Sequence, residues 1–112
     1  MSSNEILERL YALVVSRRDA DPEVSYVAKR LKQGTAKIAQ KVGEEAVETV
    51  IAALQKDNKE IINESADFMF HWLMLLVDAG IPLSDVFAEL ERREGISGLD
   101  EKAARKLLKK EG

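Results

Sequence analysis

At 112 residues, with 46% hydrophobic and 33% charged side chains, the chain has the make-up of one globular domain with a small core. Without cysteine it can build neither a disulfide framework nor a thiolate metal site, and that fits a cytoplasmic protein. A net charge of -3 gives no basic footprint for nucleic acid.

The opening MSSNEILERL lacks a basic stretch followed by an apolar run, so no signal peptide is expected. Ser2 and Glu5 have capping-box spacing and would start a first helix reaching about Arg18, with Ile6, Leu7, Leu10, Leu13 and Val14 as one apolar stripe. RRDADPEVS, with Pro22, reads as a loop. Ser25 can cap a short helix from Tyr26 to Gln33, which Gly34 ends, and Thr35 can cap a long helix to about Lys56. Asp57, with Glu60 three residues on, signals the next helix, about Asn58 to Ala79, which Gly80 closes. Within it FMFHWLMLLV, residues 68–77, is far shorter than the roughly 20 residues a membrane span needs, and Asp67 and Asp78 bracket it. Pro82 permits a restart to about Glu94, GISG is a loop, and a last helix runs from Leu99 to Lys109. The expectation is a single all-α domain over 1–112, with 95–112 as a mobile tail.

The two long helices are too apolar for a small monomer. Ile38, Val42, Ala46, Val47, Val50, Ile51 and Leu54 cover most of one circumference, and residues 68–77 are apolar on every side except at His71. Such helices must be buried all round, which predicts an obligate homodimer, or a higher oligomer, with a shared helical core, a bundle built on a long antiparallel hairpin. Close helix approach at that core would explain Gly43 in mid-helix, and Trp72, Phe68 and Phe70 read as core rather than as a base-stacking pocket.

The segment KVGEEAVETV, residues 41–50, places Glu44, Glu45 and Glu48 among valines and alanines. Across an antiparallel hairpin, residues on one level have position numbers with a constant sum. Centred on Lys56, that rule sets Glu48 level with Glu64 and Glu45 level with Asp67, one helical turn further from the bend. Within each helix the two acids are three apart, on neighbouring surface. Glu44 falls opposite Phe68, and Lys41 opposite His71.

Four carboxylates so placed repel and raise one another's pKa. A hard cation relieves this, and an all-oxygen set suits Mg²⁺ or Mn²⁺. The alternative is four acids on solvated faces. It is weakened because Glu45 shares its side with Ile38, Val42 and Thr49. Lys41 is either a phosphate ligand or a charge that offsets the acids. His71 is a buried imidazole bonded to a carboxylate or carbonyl, or it orients Asp67 or touches substrate. Arg92 and Arg93 suit both a helix C-terminus and a phosphate. The basic ending EKAARKLLKKEG is a solvated helix face or an anion contact.

The run from Glu44 to Glu48, EEAVE, followed by ESAD at 64–67, resembles the all-α, MazG-like nucleotide pyrophosphatases. SYVAKRL, GTAKIAQKVGEEAVE, ESADFMFHWLMLL and ERREGISGLDEKAARK resemble one branch, the phosphoribosyl-ATP pyrophosphatases of histidine biosynthesis, over nearly the whole chain. Gln40 departs from that pattern, which has a lysine there, and the fused cyclohydrolase of some relatives is missing, so a stand-alone form is expected. The resemblance implies Mg²⁺-dependent hydrolysis of 1-(5-phosphoribosyl)-ATP to 1-(5-phosphoribosyl)-AMP and pyrophosphate by a cytoplasmic homodimer. It carries over Glu45, Glu48, Glu64 and Asp67 as metal ligands. Glu44 or Glu45 would then activate water, and Lys41, Arg93 and Lys102 would hold non-reacting phosphates. A housecleaning (d)NTP pyrophosphatase of the same superfamily and a non-enzymatic helical dimer are the competing readings.

Overall fold

The computed structural model describes residues 5–95, 102 and 105–108. All regular structure among them is helical: α1 Glu5–Ser16, α2 Tyr26–Lys32, α3 Thr35–Leu54, α4 Asn58–Ala79 and α5 Leu83–Arg93. Positions 102 and 105–108 are helical as well. The Ser2 cap, most of the GISG loop and most of the tail lie outside the described residues. Two compact units divide the chain, Met1–Pro82 and Leu83–Gly112. Among the described residues no helix is long and apolar enough to cross a membrane.

Local chemistry sets most helix ends. The Ser25 hydroxyl accepts from the Ala28 amide at 3.2 Å and starts α2. The Asp57 carboxylate accepts from the Glu60 amide at 3.2 Å and starts α4. Gly80 closes α4 in the left-handed region (φ 73), where glycine pays no Cβ penalty, and the Ile81 amide reaches back to the Leu76 carbonyl at 2.9 Å. The same return closes α3, but there the left-handed residue is Lys56 (φ 57), with the Asp57 amide on the Ala52 carbonyl at 3.2 Å. That tight reversal makes α3 and α4 an antiparallel hairpin. Asp57→Ala removes the α4 cap beside it and is expected to cost about 1 kcal/mol, read as a lower urea midpoint at unchanged slope.

Thr35 corrects one expectation. It is the first residue of α3 rather than its cap, a position held by Gly34 with no side-chain bond. The Thr35 hydroxyl instead donates to Asp78 Oδ2 at 2.6 Å, joining the start of α3 to the end of α4. A bond to a carboxylate is stronger than one to a backbone amide, so the tertiary partner wins.

α3 and α4 share the most extensive helix contact, and α1 and α2 cover the part of the pair remote from the bend. The core is built from Val14, Val27, Ile38, Met74 and Val77, with Tyr11, Phe70 and Leu75 packed against it. The Tyr11 hydroxyl donates to the Ile81 carbonyl at 2.8 Å. Toward the bend the hairpin is bare: Val47, Val50, Ile51, Leu54 and Ile62 are all exposed, Leu54 at 77%.

Candidate metal centre

The hairpin brings Glu48 to its level partner Glu64, but Glu45 joins these two rather than its own level partner Asp67. Glu45, Glu48 and Glu64 each offer a carboxylate oxygen, and these oxygens all lie within 4.8 Å of one another. Glu45 and Glu64 are half-buried in the seam between α3 and α4, and Glu48 is exposed beside them. Asp67 is exposed and its carboxylate stands outside this group, although its charge still acts on Glu45.

The electrostatics are those of like charges pressed together. Burial pushes the Glu45 carboxyl up, and the charges of Glu48 and Asp67 push the same way, against an opposing influence of His71. Glu64 is raised from 4.5 to about 7, first by a close carboxyl contact with Glu48, then by burial and the charge of Glu48, with Glu45 adding to it. Ionised carboxylates only accept hydrogen bonds, so a shared proton or a cation would relieve this approach.

Two oxygens test whether a cation fits. Glu45 Oε2 and Glu64 Oε2 are buried and have no hydrogen-bond partner among the described residues. Buried polar atoms are ordinarily satisfied, and orphaned acceptors on like-charged groups call for a positive partner. Oxygen donors alone suit a hard divalent ion. A cavity of about 170 Å³ opens beside the cluster, lined by Glu48, Ile51, Ala52, Gln55, Glu60 and Glu64.

Glu44 stands apart. Its carboxylate accepts from Gln40 Nε2 at 2.7 Å and lies 3.4 Å from Lys41 Nζ. The Gln40 hydrogen bond first, then Lys41, hold it below the ordinary carboxylate range. Lys41 therefore serves as the charge partner of Glu44, and Gln40 supplies the other bond. The four-residue spacing of Gln40 and Glu44 is a signal that could have shown this pairing in the sequence.

His71 is buried, at 6% exposure. Its Nδ1 lies 2.9 Å from the main-chain carbonyl of Asp67, not from the Asp67 carboxylate, and its Nε2 lies 2.7 Å from the Tyr26 hydroxyl. Nothing in the local sequence marks Tyr26 as that partner, 45 positions away. Arg93 and Lys102 belong to the second unit. Arg93 Nε lies 3.8 Å from Glu89 Oε2, and Lys102 is exposed.

Fold and site together define a class: all-helical proteins whose antiparallel helix pair carries a carboxylate cluster fit for a hard divalent ion. The family model of phosphoribosyl-ATP pyrophosphohydrolase matches residues 7–94. The phosphoribosyl-ATP pyrophosphatase of Rhizorhabdus wittichii is 57% identical over 99 residues, 88% of this chain and 93% of that protein. Those of Novosphingobium aromaticivorans and Azospirillum brasilense are 56% and 55% identical, covering 94% and 93% of this chain and 98% and 94% of their own lengths. The chain belongs to the phosphoribosyl-ATP pyrophosphohydrolase family.

Proposed function

We infer that the chain hydrolyses 1-(5-phosphoribosyl)-ATP to 1-(5-phosphoribosyl)-AMP and pyrophosphate, the second step of histidine biosynthesis. Family membership supports the substrate. The observation that carries the chemistry is the convergence of Glu45, Glu48 and Glu64 within 4.8 Å, with two of their oxygens buried and unpartnered.

The cation this set suits is Mg²⁺, with Mn²⁺ as a substitute, held by Glu45, Glu48 and Glu64 with Asp67 as the neighbouring acid. When bound, such an ion polarises the phosphoryl group and offsets charge on the leaving pyrophosphate. The rest falls to the chain. Glu64, raised to about 7, holds a proton near neutrality that it can give up as a cation enters. Glu44 and Glu45 are the two candidates to orient or deprotonate the attacking water. Glu44 is stabilised as a carboxylate by Gln40 and Lys41. Lys41 is proposed to hold a non-reacting phosphate of the anionic substrate, and Arg93 and Lys102, on the second unit, are carried as separate candidates for phosphate contact.

The apolar surface left on the bend half of the hairpin, at Val47, Val50, Ile51, Leu54 and Ile62, supports a homodimer. Membership of a biosynthetic enzyme family supports a cytoplasmic site of action, and the net charge of -3 speaks against a nucleic-acid partner.

The deciding assay measures pyrophosphate release from phosphoribosyl-ATP and from a panel of dNTPs, with and without Mg²⁺. Release from phosphoribosyl-ATP only when Mg²⁺ is present is expected. Release from dNTPs in its place would point to the housecleaning activity, and no release from either would sink the enzymatic reading.

A further inference from the structure

His71 is the one histidine of the chain, and both of its ring nitrogens are engaged. Nδ1 faces the Asp67 carbonyl oxygen at 2.9 Å. A carbonyl only accepts, so Nδ1 carries the proton. In a neutral ring Nε2 is then an acceptor, and the Tyr26 hydroxyl at 2.7 Å is its donor. Arg30 agrees with that direction. Its Nη2 donates to the Tyr26 oxygen at 3.2 Å, and its guanidinium lies 4.8 Å from the centroid of the Tyr26 ring. The reverse polarity would aim two cationic donors, Arg30 and a charged His71, at one phenol oxygen.

The hydrogen bonds therefore run one way, from Arg30 through Tyr26 and His71 to the Asp67 carbonyl. They join α2 to the turn of α4 that carries Glu64 and Asp67. Tyr26 and Phe70 meet the imidazole edge-on, at 84° and 83°, which leaves the ring little freedom to turn.

We propose that Tyr26 is a positioning residue for the carboxylate site: its hydroxyl, donating to Nε2, anchors the His71 ring whose tautomer the Asp67 carbonyl fixes, and the anchored ring sets the Glu64–Asp67 turn against Glu45 and Glu48. Tyr26 acts through His71 and through the backbone of α4. The proposal rests on the reading of the acid cluster as a cation site.

Tyr26→Phe removes a single oxygen from a side chain that is 47% exposed, so the helices are retained. Two measurements on the full chain test its role. Long-range ¹⁵N–¹H correlation spectra report the tautomer of His71 without any metal, and calorimetric titration reports Mn²⁺ binding. The wild type is expected to show the Nδ1–H pattern. The variant is expected to keep that tautomer but to shift the Nε2 resonance as its donor is lost, with an Mn²⁺ dissociation constant raised about ten-fold, as for other groups that orient a metal site from outside its ligands. An Nε2–H ring in the wild type, or a variant that matches the wild type in either measurement, would overturn the proposal. A wild type that binds no Mn²⁺ would sink the metal reading and this proposal with it, whereas normal wild-type binding with an unchanged variant would sink the proposal alone.

Discussion

Glu48→Gln is expected to slow pyrophosphate release from phosphoribosyl-ATP by more than about 100-fold, beyond the range seen when groups behind a metal's ligands are lost. The metal-free variant should melt at or above the wild-type temperature. Both effects have one cause. Glu48 is the exposed member of the three converging carboxylates, so glutamine fits in its place without repacking. It loses the charge that would draw a cation. It also relieves the repulsion that raises both Glu45 and Glu64. A residue that mattered only for folding would move activity and stability in the same direction. Here they should move oppositely, and steady-state assays alongside thermal scans in chelator would show it. Turnover equal to the wild type would remove Glu48 from the site.

The second large effect is a dependence of metal-free stability on pH that Mg²⁺ reverses. The Glu64 carboxyl titrates at about 7 in the folded protein, against an ordinary 4.5. Between those values the folded state keeps a proton that the unfolded chain has released. Stability is therefore highest below about pH 4.5 as far as this group is concerned, falls as pH rises toward about 7, and is level above. The raised Glu45 carboxyl acts in the same direction. On the proposed reading Mg²⁺ would bind the ionised cluster of the folded chain, so it should stabilise at pH 8 and scarcely at pH 5. At a concentration 100 times its dissociation constant the gain is about 2.7 kcal/mol, on the order of 10 °C for a domain of this size. Thermal scans across that range in chelator and in Mg²⁺ provide the measurement. A flat profile in chelator, or no Mg²⁺ shift at pH 8, would contradict the picture of three carboxylates sharing one cation site.

Helix ends were legible wherever the capping chemistry is local. Asp57 with Glu60, Gly80, and Ser25 each act within a few residues, and α4 runs from Asn58 to Ala79 as its flanking signals predict. Thr35 shows the limit of that logic. It has capping chemistry, but Asp78, distant in sequence, offers its hydroxyl a stronger partner. The site divides in the same way. Equal spacing from the bend separates Glu45 and Glu48 from Glu44, because a tight hairpin leaves little choice of level. It does not separate Glu64 from Asp67, because level along an axis says nothing of how a side chain leaves it.

From the sequence alone came the helices, the hairpin centred on Lys56, the levels of the acids and the family. The first three depend on short-range periodicity, capping and turn chemistry, and the family on the resemblance of the motif blocks. Only the tertiary structure decided that Glu45, Glu48 and Glu64 converge while Asp67 stands outside, that Glu44 turns to Gln40 and Lys41, and that His71 bonds Tyr26 and a carbonyl rather than a carboxylate. Those outcomes depend on the rotation of each helix about its own axis and on side-chain rotamers. Packing of α1, α2, α3 and α4 against one another sets both, and no pattern within a single segment contains them.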